Sequence, residues 1–168
     1  LILFTLLSYL SYRTSAQKEG EKARSINSRP YLPIVAIVLV FVVWVVNVKP
    51  ILAGQTLIKA LQAQPGGPSQ NHELMKKALA YNSFAASEIR EQLTHLAIRV
   101  AAEPKAPSDI KQAFFTLAES ELKRQLEVSP NDTRYHLLQA LNLEQFGGYD
   151  EAIVYLNRAL ELSPRKQA

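Results

Sequence analysis

The stretch TRYHLLQALNLEQFGGYDEAIVYLNRALELSP, Thr133 to Pro164, decides the fold. Two runs of apolar residues at helical spacing flank the pair Gly147-Gly148, and a proline closes the unit. Pro130 stands 34 residues before Pro164 (164 − 130). Sliding the chain by that interval superposes Ala118 on Ala152, Leu122 on Leu156, Arg124 on Arg158, Leu126 on Leu160, Glu127 on Glu161 and Ser129 on Ser163. With the prolines these are seven identities over the thirteen positions 118–130, which marks an internal repeat.

The unit closely resembles a tetratricopeptide repeat in Ala140, Gly147, Tyr149, Ala152, Leu156, Ala159 and Pro164, and Ala118, Leu122 and Pro130 hold matching places one period earlier. The resemblance implies paired helices that approach closely at small residues and stack into an α-solenoid. His136 and Gln139 depart from it, standing where the family usually places a large aromatic and a leucine. Upstream the pattern thins. Pro104 and Pro107 fall where the preceding repeat would need its first helix, and MKKALAYN, Met75–Asn82, is similar to another second helix, with Ala78 matching Ala159. One repeat, one half repeat and one remnant cannot bury their faces alone, so neighbouring helices must complete the core.

Periodicity and breakers predict those neighbours. ILAGQTLIKALQ forms a helix with a stripe of Ile51, Leu52, Leu57, Ile58 and Leu61, stopped by Pro65-Gly66-Gly67-Pro68. Helices follow over His72–Tyr81 and Phe84–Glu103, the second with Ile89, Leu93, Leu96, Ala97 and Val100 on one face. After Pro104 and Pro107, Ser108 or its neighbourhood opens a helix through Val128 with Ile110, Phe114, Leu117, Ala118, Leu122 and Leu126 inward. Asp132–Phe146 and Tyr149–Leu162 complete the set.

The chain of 168 residues is 48% hydrophobic and 20% charged, and its apolar excess sits in Leu1–Leu10 and Tyr31–Val48. Pro30–Val48 holds nineteen residues without a charge, enough at ~1.5 Å per residue to cross the ~30 Å hydrocarbon core. Its apolar character runs all round, as lipid requires. Leu1–Leu10 lacks the basic lead and cleavage site of a signal peptide, and reads as the end of a truncated transmembrane helix or as a buried core segment. The loop between the two carries Arg13, Lys18, Lys22, Arg24 and Arg29, which by the positive-inside rule makes it cytoplasmic and puts everything after Lys49 on the far side. The net charge of +4 gathers beside the span, pointing to a membrane flank rather than to nucleic acid. The expected organisation is an all-α chain: 1–10 end of a membrane helix, 11–30 basic loop, 31–48 transmembrane helix, 49–103 juxtamembrane helices, and 104–168 repeats of the tetratricopeptide-like α-solenoid.

No catalytic, cofactor-binding or metal-binding residue is expected. Without cysteine there is no disulfide, thiolate site or thiol nucleophile. His72, His95 and His136 share no metal-ligand spacing; His136 fills a packing position, and the other two are exposed or semi-buried. Glu88/Glu91 and Glu119/Glu121, near Arg90, Lys123 and Arg124, form a solvated helix face rather than paired acid–base carboxylates. In repeat geometry the first helix of the unit would offer Arg134, Leu137, Leu141, Glu144 and Gln145 to a protein partner or to a second copy; the simpler reading is that those residues contact the adjacent helix or solvent.

The order of features, together with the run YNSFAASEIREQL at Tyr81–Leu93 following MKKALA, resembles the C-terminal end of bacterial membrane proteins of the O-antigen ligase and polymerase family, over essentially the whole chain. That resemblance implies a bacterial inner membrane, with the repeats on the periplasmic or extracellular side. It implies a parent that ligates or polymerises glycans carried on a polyprenyl diphosphate, through a multi-span core whose functional arginines and histidine have no counterpart here. The repeat domain would then serve protein interaction or assembly. The alternative is a membrane-anchored tetratricopeptide adaptor with no enzymatic parent.

Overall fold

A computed structural model describes residues 7–13 and 32–164. Most of Leu1–Leu10, most of the basic loop 11–30 and Tyr31 lie outside the described residues. The described residues form helices and turns without a strand. The chain divides into two compact units, residues 1–40 and 41–168.

In the first unit residues 7–13 are helical with exposed side chains, and α1 begins at Leu32. α1 spans Leu32–Val43 and runs through a π-helical turn, Trp44–Val48, into α2, Lys49–Leu61. Every side chain from 33 to 47 is exposed, although nearly all are apolar. Among the described residues one helix, Pro33–Leu61, is long and apolar enough to cross a membrane. The helix runs on past Val48 into the residues expected as a juxtamembrane helix. Pro50 explains the π turn: its nitrogen has no proton for the carbonyl of Val46, and its ring would crowd that carbonyl in a regular helix. The ladder widens instead, with the Lys49 amide donating to the carbonyl of Trp44.

The second unit continues with α3 (Gly67–Ala80), α4 (Ala86–Ala102), α5 (Ser108–Val128), α6 (Thr133–Glu144) and α7 (Tyr149–Leu162). Successive helices pair as hairpins α2–α3, α4–α5 and α6–α7, while α4 also touches α6 and α3 touches α5. One core joins α2 to α5 through Ala53, Leu57, Met75, Ile89, Leu93 and Phe114. Two smaller clusters seat α6, one with Leu122, Tyr135 and Leu138, the other with Ala140, Leu143 and Ala152.

Three expectations are corrected. The inward face of α2 is Ala53, Thr56, Leu57 and Ala60, so that Ile51 and Ile58 point away from the core. Small residues let α2 and α3 approach closely, and the bulky ones are displaced to the outside. α3 starts at Gly67 rather than His72, because Pro68 falls in the first turn, where a missing N–H breaks no bond. The first helix of the hairpin that contains α5 is α4, which lies before Pro104 and Pro107; those prolines occupy the connection. α5 itself spans the predicted range, though Ser108 does not cap it.

Two helix ends 34 residues apart share one backbone geometry. α5 ends at Ser129 (φ −135°, ψ 66°) and α7 at Ser163 (φ −147°, ψ 71°). Each serine amide donates to the carbonyl four residues back, at 2.9 and 3.0 Å. The following prolines, Pro130 and Pro164, disfavour helical backbone at the residue before them. Between α6 and α7, Gly148 donates to Leu143 and Gly147 to Glu144, with Gly147 at φ +79°. This is a Schellman ending, which needs a left-handed residue at that place.

Candidate functional site

α6 is positioned first by Asp132, whose carboxylate accepts the Arg134 amide at 3.0 Å as an N-terminal cap. Its inner side is set by Tyr135, Leu138, Ala140 and Leu143, all buried. Arg134, Leu137, Leu141, Glu144 and Gln145 follow at intervals of three, four, three and one, so they share the other side. Leu137 is half-buried, and the remaining four are exposed. Arg134 is already engaged. Its Nη1 lies 3.0 Å from Glu91 of α4, Nη2 donates to the Tyr135 hydroxyl at 3.1 Å, and the guanidinium stands 4.9 Å from the Tyr135 ring centroid. Partial burial disfavours its charge, but Tyr135, Glu91 and Asp132 outweigh that and raise its pKa above the ordinary arginine value.

The acidic groups divide. Glu119 accepts from Lys123 at 2.7 Å on the surface of α5 and holds that ammonium above the usual lysine pKa. Glu121 does not belong to a solvated face: it is largely buried and accepts from Arg90 Nε of α4 at 2.8 Å. Arg90 Nη1 also donates to Gln125, so one guanidinium ties α4 to α5 by two bonds. Sequence reasoning missed this arginine because its partners lie 31 and 35 residues away. It missed Asn71 as well, whose amide donates to the carbonyls of Ala60 and Gln62 at 2.6 and 2.7 Å and so closes the end of α2.

The histidines are separate. His136 is buried with Nε2 2.9 Å from the Pro130 carbonyl, which assigns the proton to that nitrogen, and its ring lies beside Tyr155. His72 meets Phe114 edge to face, and His95 is exposed. Among the described residues no group of three or more His, Asp or Glu is placed to hold a metal ion. A groove lined by Lys123, Leu126, Glu127, Pro130, His136 and Tyr155 opens widely to solvent.

Of the repeat-pattern residues, Ala118, Leu122, Ala140, Ala152 and Ala159 are buried. Gly147 makes the turn, and Pro130 and Pro164 follow helix ends. Tyr149 and Leu156 are exposed on α7. The exposed surface carries leucines among charged and amide groups on α6, and apolar side chains on α7. Compared with protein-family models, curated proteins and solved structures, the chain gives no match.

Proposed function

We propose that the helices from Lys49 onward form a tetratricopeptide-like interaction domain held at a membrane by the exposed apolar residues 33–47 that lead into it, and that the chain is the non-catalytic C-terminal part of a bacterial membrane protein of the O-antigen ligase and polymerase type. The observation that carries the repeat reading is the matched ending of α5 and α7, one period apart, at Ser129-Pro130 and Ser163-Pro164. It is supported by hairpins whose first helices, α4 and α6, touch each other while the second helices α3 and α5 do the same. The tether reading is supported by the part of the helix Pro33–Leu61 from 33 to 47, where nearly every side chain is apolar and every one is exposed. A surface of that kind is stable in lipid.

The basic residues before the span favour an orientation with the helical domain on the periplasmic or extracellular side. In that position the domain would hold an assembly partner or acceptor near a polyprenyl-linked glycan handled by the membrane core of the parent. The sequence motifs preceding the repeats favour this parent over a free-standing adaptor.

The chain has no cysteine, so Ser120→Cys on the exposed side of α5 gives a unique label site. A membrane-impermeant maleimide should label it once the outer membrane is permeabilised and the inner membrane is intact. Labelling that requires inner-membrane lysis would overturn the orientation. Determining the coding sequence upstream of Leu1 tests the parent: further spans and an outward loop rich in arginine and histidine are expected, and a start codon just before Leu1 would leave the adaptor.

A further inference from the structure

We propose that the apolar stripe of α7, made by Tyr149, Ile153, Leu156 and Leu160, docks an amphipathic helix of a partner protein in the way that α6 docks on α5. The four residues recur at spacings of four, three and four and so lie on one side of the helix. Each is between 45% and 63% exposed.

The internal repeat shows what such a surface takes. One period earlier Leu122 and Leu126 occupy the places of Leu156 and Leu160. Leu122 is fully buried against Tyr135 and Leu138 of α6, and Leu126 packs on the same cluster. Phe115, in the place of Tyr149, packs on Ala140 and Leu143 and lies 4.4 Å from the Phe146 ring. α6 therefore covers this face of α5 with an aromatic and a leucine three residues apart. α7 extends the same interface by one period, and among the described residues its stripe remains exposed.

One difference points to a separate polypeptide as the occupant. Where α5 carries Glu119, paired with Lys123 at the surface, α7 carries Ile153 and Asn157. The stripe has gained an apolar side chain and lost an ion pair at the edge of the contact. A solenoid that ends in solvent keeps a polar outer face. An association between chains instead needs added apolar burial to offset lost translational and rotational freedom. The occupant is thus an amphipathic helix with an aromatic–leucine pair at i, i+3.

This rests on the interaction role proposed above, and its test is separate from the labelling of Ser120. The full chain in lipid nanodiscs is titrated against a fluorescent peptide of residues 131–146, lactam-bridged because short isolated helices are marginal in water. Anisotropy should rise saturably. Leu156→Glu with Leu160→Glu should weaken binding by at least about tenfold, whereas Val154→Glu, on another side of α7, should leave it unchanged. A peptide carrying Tyr135→Ala and Leu138→Ala should not bind. Circular dichroism of the double variant should match the parent, since the replaced side chains are exposed. Absence of saturable binding, or binding that survives the double variant, would overturn the proposal. So would a wild-type dimer that the double variant dissolves, because the occupant would then be a second copy of this chain.

Discussion

Arg90 and Glu121 meet across α4 and α5, the guanidinium Nε donating to the carboxylate over 2.8 Å with both side chains largely buried. Gln125 accepts a second bond from the same guanidinium. A buried ion pair is weak evidence for net stability, but removing one partner leaves a charge in a poorly solvated place. Arg90→Met should therefore destabilise the helical unit by about 3 kcal/mol in denaturant unfolding followed by circular dichroism. Adding Glu121→Leu should recover most of that loss, since the orphaned carboxylate is gone. Arg90→Lys should fail to restore stability, because an ammonium lacks the planar fork that reaches Glu121 and Gln125 together.

Gln139 is fully buried in α6, and neither its amide oxygen nor its nitrogen has a hydrogen-bond partner. A buried amide left unpaired costs about 1–3 kcal/mol. Gln139→Leu should raise the unfolding midpoint by a few degrees, in keeping with a gain of about 1–2 kcal/mol. A lower midpoint would show that the amide has a partner under solution conditions.

Asn71 donates to two carbonyls at the end of α2, on which the α2–α3 hairpin closes. Asn71→Ala should cost about 1–2 kcal/mol through the unpaired carbonyls. Asn71→Asp should cost more, because a carboxylate would face two acceptors. Hydrogen exchange of the α2 amides near Leu61 gives a local readout beside the global midpoint.

Gly147, at φ +79°, lies in open space, so a methyl group would meet no neighbour there and only the backbone would object. Gly147→Ala should destabilise by about 1 kcal/mol, and Gly147→Asn by less, since Asn tolerates the left-handed region better. Equal effects of the two would contradict the Schellman ending.

Much of the fold was legible where local period and burial agree. The inward face predicted for α5 from Ile110 to Leu126 is the buried or half-buried one, and Ile89, Leu93, Leu96, Ala97 and Val100 are all buried in α4. The failures share a physical cause. A pattern in one helix does not say what lies across from it, so Arg90 and Glu121 looked like surface residues although they bury each other across α4 and α5, and Asn71 drew no notice. For the same reason the apolar period in α7 marked a face without saying that no other described residue covers it. In α2 large aliphatic residues were expected inside, and close approach of α3 selected Ala53, Thr56 and Ala60 instead. Pro68 was read as part of a stop, and the first turn of a helix accommodates it. Pro50 passed unread, and a π turn accommodates it.

The central claim is that a helical interaction domain is held to a membrane by the apolar helix that leads into it. Single cysteines at Val40 and at Ser120, each in the otherwise cysteine-free chain, measure this most directly through their rates of reaction with a water-soluble maleimide in intact membranes. Val40 lies in the fully exposed apolar stretch of α1, and Ser120 on the exposed side of α5. The account predicts that Ser120→Cys reacts and Val40→Cys does not, the thiolate being disfavoured and the reagent excluded in hydrocarbon. Comparable reaction at both positions would contradict it, because α1 would then face water.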